Sequence, residues 1–162
     1  MEIKIVPMTE SHLVQVNRVD HICFTVPWSM QSFENELKND MARYFVALKD
    51  ENVVGYCGIW EIVGEGDITN VAVLPEFRRQ GIGGRLMKRM IEYGRSRGMS
   101  RLTLEVRESN TPARRLYESF GFRQAGSRRN YYSDNQETAV IMALELDGES
   151  QKDDWNQSGK ES

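Results

Sequence analysis

Apolar residues recur along this chain at two periods, and each change of period marks a change from strand to helix. Glu2 to Val6 alternates as a first strand, which Pro7 is expected to end. Thr9 then caps a helix with Leu13, Val16, Val19 and Cys23 on one face, and a second helix opens at Ser29 with Met30, Phe33 and Leu37 inward. Tyr44 to Leu48 and Val53 to Ile62 read as hairpin strands around a turn at Asp50 to Asn52. Glu65-Gly66-Asp67 is expected to turn the chain again into a strand from Ile68 to Leu74, completing an antiparallel meander. A helix from Gly83 to Arg97 places Leu86, Met87, Met90, Ile91 and Gly94 at helical spacing, and Gly98 ends it. Arg101 to Val106 is a strand, Asn110-Thr111-Pro112 starts a helix carrying Ala113, Leu116, Tyr117 and Phe120, and Phe122 to Gly126 and Glu137 to Leu146 are the last strands. The pattern predicts an α/β (α+β) chain in which the strand after the Gly83 helix lies beside the strand before it as a right-handed crossover.

Composition narrows the class. At 162 residues the chain fits one domain, expected over 1–146, and 147–162 turns polar enough to read as a disordered tail. No apolar run approaches the ~20 residues of a membrane span, and the expected location is the cytoplasm. Cys23 and Cys57 make no disulfide framework, and with His12 and His21 the only histidines, no metal site is expected and any general base should be a carboxylate. The net charge of -3 conceals an asymmetry: residues 1–77 hold five bases and twelve acids, whereas residues 78–146 hold fourteen bases and seven acids. A polyanionic ligand for the later half would fit that split, and so would ordinary solvated helix faces.

The chemistry concentrates after the meander. Gly81, Gly83 and Gly84 open a helix whose first N–H groups point outward, beside Arg78 and Arg79, which reads either as a phosphate cradle or as a plain strand-to-helix turn. Glu105 lies between Leu104 and Val106 on a strand and so points away from both; it is a proton acceptor if that face lines a cleft, and a surface glutamate otherwise. Tyr117 is either a core tyrosine or the donor to a departing thiolate. The apolar loop Phe24-Thr25-Val26-Pro27-Trp28 is either a wall over a cleft or a plug in the core.

Arg78-Arg79-Gln80-Gly81-Ile82-Gly83 matches the R/Q-x-x-G-x-G/A signature of the GCN5-related N-acetyltransferases (GNAT), and Asn110 through Leu116-Tyr117-Glu118-Ser119-Phe120-Gly121-Phe122 resembles that family's later acetyl-CoA motif. Within it, Leu104-Glu105-Val106-Arg107-Glu108-Ser109-Asn110, Arg128-Arg129-Asn130-Tyr131-Tyr132 and Ala139-Val140-Ile141-Met142 are similar to the bacterial ribosomal-protein alanine N-acetyltransferases of the RimI type. The resemblance implies a mixed, mostly antiparallel sheet of six to seven strands flanked by four helices and splayed at the acetyl-CoA site. It implies Glu105 as general base and Tyr117 as general acid. Val71, Ala72, Val73, Arg78, Arg79, Gln80, Gly81, Ile82, Gly83, Gly84 and Asn110 are implied to bind acetyl-CoA, with no metal. Trp28 and Tyr131 are candidates for holding the acceptor, Trp28 less securely because the residues before Pro27-Trp28-Ser29 depart from the group's pattern.

The acceptor implied is a protein N-terminus, of a ribosomal protein, with no direct nucleic acid or membrane partner and a monomeric or weakly dimeric enzyme. Proton affinities agree: at pH 7 an α-amine of pKa ~7.8 is roughly one-tenth neutral, against well under a thousandth for a lysine near ~10.4. Transfer to lysine or a small amine, and a non-catalytic acyl-CoA-binding module, are the alternatives.

Overall fold

The computed structural model describes residues 2–146, so the polar tail expected over 147–162 lies outside the described residues. The described residues form seven strands and four α-helices, and the pairings within their two compact units are antiparallel. The first unit holds the chain up to Trp60 together with Ile68–Met90; the second holds Glu61–Asp67 and the chain from Ile91. Among the described residues, no helix is long and apolar enough to cross a membrane.

In the first unit, β1 (Lys4–Pro7) pairs with β2 (Ala42–Lys49), and β2 with β3 (Asn52–Ile62). Pro7 does not end β1 but stands opposite Phe45 as its last residue, which an outer strand tolerates because one side needs no N–H donor. The hairpin turns through Asp50 and Glu51, both at positive φ as a two-residue connection of this hand requires. On one face, α1 (Leu13–Cys23) and α2 (Met30–Leu37) bury Leu13, Val16, Val19 and Phe33 against Tyr44, Val46, Val53 and Tyr56. On the other, the start of α3 (Ile82–Ser96) covers the sheet, with the Arg89 guanidinium 4.5 Å from the centre of the Phe45 ring. Covered on both faces, β3 is buried almost continuously.

β4 (Glu65–Val73) begins earlier than the sequence suggests. The turn is made by Val63 and Gly64, both at positive φ, and Glu65-Gly66-Asp67 belongs to the strand. A glycine at 64 accepts that backbone without strain, a stronger local signal than the polar triplet after it.

In the second unit, β7 (Ala139–Glu145) lies between β5 (Arg101–Arg107) and β6 (Arg123–Arg128). Glu105 stands opposite Ile141, and Ile141 opposite Gly126, so three strands present one row of side chains. Gly94 on the last turn of α3 lets that helix close on Leu102 and Leu146; a Cβ there would stand 3.2 Å from each. Asn110 starts α4 (Thr111–Ser119), its Oδ1 accepting from the Ala113 N–H at 3.2 Å.

Candidate active site

The first unit contains the glycine loop. From Val73 the chain makes a single 3-10 turn at Pro75–Phe77, passes Arg79 at φ 65° and Gly81 at φ 83°, and enters α3 at Ile82. A Cβ on Gly81 would meet nothing within 4 Å, so it is backbone conformation that demands glycine there. Two left-handed residues within three turn the chain sharply into the helix start, whose first N–H groups have no partner within the helix itself. Arg79 and Gln80 are exposed beside them, while Gly83 and Gly84 are partly covered and Ile82 is buried. Arg78 turns back instead: its Nε donates to the Val73 carbonyl at 2.9 Å and its guanidinium reaches the Cys23 sulfur at 3.7 Å. It thus braces the strand end, with Ala72 buried beneath and Val71 and Val73 half-covered.

The loop after α1 divides between wall and plug. Trp28 packs its ring 5.3 Å from Phe33 and 6.5 Å from Tyr44, whereas Phe24 and Val26 are exposed. What holds Trp28 is Asp20, a carboxylate 1% exposed inside the apolar core. Asp20 accepts from the Trp28 N–H at 2.7 Å and from the Tyr56 hydroxyl, Asn70 donates to that hydroxyl at 2.6 Å, and Asn17 donates to the Trp28 carbonyl at 3.1 Å. Burial and the neighbouring carboxylate push the Tyr56 pKa far up, so the phenol stays a donor. Asp20 is invisible in sequence, where it reads as one more polar residue of an amphipathic helix.

The second unit contains Glu105, at an open cleft of about 310 Å³ whose lining includes Glu65, Asp67, Thr103, Arg128 and Ile141. Its two oxygens are held separately. The Tyr131 hydroxyl donates to Oε1 at 2.7 Å, and Arg128 Nε approaches Oε2 at 3.2 Å. The bond to Glu105 is the main reason the Tyr131 pKa is raised, with burial second. Asp67 lies near enough to sense Glu105: loss of solvent, and then that like charge, raise its pKa, while the Thr103 hydroxyl bond and Arg128 oppose the rise. Asp67 reaches the cleft because β4 starts at Glu65, putting Glu65 and Asp67 on one strand face.

Tyr131 sits on a braced loop. Arg107 pairs with Asp134 at 2.9 Å and Glu137 at 3.3 Å, and its guanidinium lies 4.0 Å from the centre of the Tyr132 ring. Glu137 also accepts from the Ser109 N–H at 2.7 Å; bonds from Ser109, with Arg107 behind them, lower its pKa. Tyr117 on α4 is 8% exposed, its ring 6.1 Å from that of Phe122. Its hydroxyl has no hydrogen-bond partner among the described residues, and burial pushes its pKa up to about 12. An unpaired buried hydroxyl is costly, which makes it a donor in search of an acceptor. Asn110, exposed, spends Oδ1 on the helix cap, leaving Nδ2 without a partner among the described residues. Among the same residues no group of three His, Cys, Asp or Glu side chains could hold a metal ion.

The structure thus places Glu105, Tyr131 and Asp67 in one cleft neighbourhood of the second unit, and the glycine loop, Arg78 and Trp28 in the first. Arg128 and Asp67 carry no signal in the sequence that marks them for the site. The Arg128-to-Tyr132 run contains the first of these, but only strand register shows that the end of β6 serves the same cleft as Glu105.

Comparison with known proteins agrees with the motifs. The model of the acetyltransferase (GNAT) family matches residues 13–122, well over half of the chain. A Bacillus subtilis (strain 168) protein is 43% identical over 136 residues, covering 80% of this chain and 90% of its own. The ribosomal protein bS18-alanine N-acetyltransferase of Escherichia coli (strain K12) is 39% identical over 124 residues, 74% of this chain and 82% of its own. The crystal structure of the ribosomal-protein-S18-alanine N-acetyltransferase from Escherichia coli superposes with a TM-score of 0.83 at 32% identity over 90% of this chain and 94% of that one. A GNAT family acetyltransferase from Elizabethkingia anophelis, solved with acetyl-CoA bound, shares the fold with a TM-score of 0.68 at 23% identity, over 89% of this chain and 98% of that one. On the family match and these identities, the chain belongs to the acetyltransferase (GNAT) family.

Proposed function

We propose that this enzyme transfers the acetyl group of acetyl-CoA to the N-terminal α-amine of a protein, the N-terminal alanine of a small-subunit ribosomal protein. The observation that carries the reading is Glu105: a carboxylate with fixed oxygens in a cleft of net negative charge, suited to a cationic amine and able to take its proton. In this reading residues 1–146 act as one acetyltransferase domain, in the cytoplasm.

The residues present fit acetyl-CoA. The Gly81 turn and the start of α3, with Arg79 and Gln80 exposed beside it, offer N–H groups and charge to a pyrophosphate. Val71 to Val73 offer backbone and Asn110 a free amide donor, while Arg78 contributes by bracing Val73. The orphaned Tyr117 hydroxyl fits a group that becomes an acceptor during the reaction.

Glu105 takes the proton of the acceptor's ammonium; the neutral amine nitrogen bonds to the acetyl carbonyl carbon, the carbon–sulfur bond breaks, the sulfur leaves as a thiolate, and the second proton that the nitrogen sheds in becoming an amide passes to solvent. Tyr117 meets that charge. With its pKa at about 12 and a free thiol near ~8.5, full proton transfer would be uphill by roughly 5 kcal/mol. Tyr117 therefore acts first as a hydrogen-bond donor to the developing thiolate, which a neutral tyrosine does at any physiological pH.

Mass spectrometry of short alanine-initiated peptides incubated with enzyme and acetyl-CoA tests the reading. A free N-terminus should gain one acetyl group, and a peptide with a blocked N-terminus and an internal lysine should gain none. Equal rates on both would replace the α-amine with lysine as acceptor.

A further inference from the structure

Resting on the reading of Glu105 as the base, we propose that Arg128 is a displaceable counter-ion. Its guanidinium occupies, at Glu105 Oε2, the place that the acceptor's α-ammonium takes, while Tyr131 keeps Oε1 fixed through the exchange.

The two contacts to Glu105 are unequal. Tyr131 donates at 2.7 Å from a loop braced on both sides: its own N–H bonds to the Glu137 carbonyl at 3.2 Å, and its ring meets Tyr132 edge-on at 5.1 Å, which in turn lies under Arg107. Arg128 approaches through one nitrogen at 3.2 Å, with its side chain 60% exposed. That is long for a charge-assisted bond, and it lacks the paired geometry that makes arginine–carboxylate contacts strong. Its other contact is the face of the Tyr131 ring, 5.9 Å from the centre. Such an exposed pair holds weakly and yields at little cost.

What it yields to follows from charge. The carboxylates of Glu65, Asp67 and Glu105 stand in the cleft against the single guanidinium of Arg128. When Arg128 swings out, the cleft is short of one cation, and an ammonium restores the balance with a compact group carrying three donors. Acetylation then converts that cation to a neutral amide, which has no claim on Oε2, so Arg128 returns as the product leaves. The exchange thus sorts charged acceptor from neutral product.

Calorimetric titration tests this with a short alanine-initiated peptide, in free and N-acetylated forms, at pH 6.5 where the free amine is charged. Arg128→Gln should bind the free peptide more tightly, by about three-fold, the scale of a lost exposed ion pair. It should bind the acetylated peptide as the wild type does, and Arg128→Lys should stay near wild type for both. Weaker or unchanged binding of the free peptide by Arg128→Gln, an equal change for both peptides, or no binding to either protein would overturn the proposal. Acetylation of the same peptide by wild-type enzyme is read separately. Absent acetylation with the titration pattern intact would refute the function while leaving the exchange standing.

Discussion

Tyr117→Phe should make the ligand-free protein more stable and the enzyme much slower. The substitution removes one oxygen from a side chain 8% exposed, leaving the ring to keep its contact with Phe122. Its hydroxyl is buried with no partner among the described residues. A hydroxyl in that position costs about 1–3 kcal/mol relative to a site that needs no bond, and the gap left by an oxygen returns part of the gain. A net stabilisation of about 1 kcal/mol is expected, or about 2–4 °C in Tm for a chain of this size. The alkaline limb sharpens the test. Burial sets the Tyr117 pKa at about 12 against about 10 unfolded, so between those values the native state retains a proton that the unfolded state has lost. This contribution is fully present below about pH 10 and is lost as pH rises through about 12, up to about 3 kcal/mol. Urea unfolding at neutral and high pH should show the variant more stable at pH 7 and its stability less steep above pH 10. The same variant should lose about 10²-fold in kcat, with its affinity for acetyl-CoA nearly unchanged. A destabilised Tyr117→Phe would mean that the hydroxyl has a partner, and an undiminished kcat would remove it from the reaction.

Glu105→Gln should lower kcat by about 10²–10⁴-fold while a titration shows acetyl-CoA still binding; retained acetylation would take the base role away from it. Gly81→Ala forces a side chain to φ 83° and should cost about 1–2 kcal/mol, seen in thermal unfolding, together with weaker acetyl-CoA binding. Because space around Gly81 is open, unchanged stability would show that the turn relaxes instead. Asp20→Ala strands the Tyr56 hydroxyl and the Trp28 N–H in the core and should lower stability by about 3 kcal/mol in urea unfolding. A loss under 1 kcal/mol would mean that water replaces the carboxylate.

What the sequence discloses depends on how local the cause is. The hairpin of β2 and β3 and the α4 cap at Asn110 rest on neighbours in sequence, and both stand where the residues suggest. β4 starts three residues before the position its pattern suggests, because a polar triplet imitates a turn while Val63-Gly64 makes it. The direction of Glu105 is legible because a carboxylate between two apolar strand residues has its direction set by the pleat. Arg128 and Asp67 are not, since they meet Glu105 only across 23 and 38 positions of chain. Asp20 is hidden for the opposite reason: its helix looks ordinary, and only the fold shows a charge where the amphipathic pattern would put a hydrocarbon.

Arg107 gives the site a mechanical coupling. It stands two residues from Glu105 on the same strand face and clamps Asp134, Glu137 and the Tyr132 ring, so the loop that delivers Tyr131 is riveted to the strand that delivers the carboxylate. Base and loop are thereby tied to one another. A chimaera that imports a different β6–β7 loop to change acceptor preference would have to bring residues for Arg107 to grip, or the new loop would drift against an unmoved Glu105.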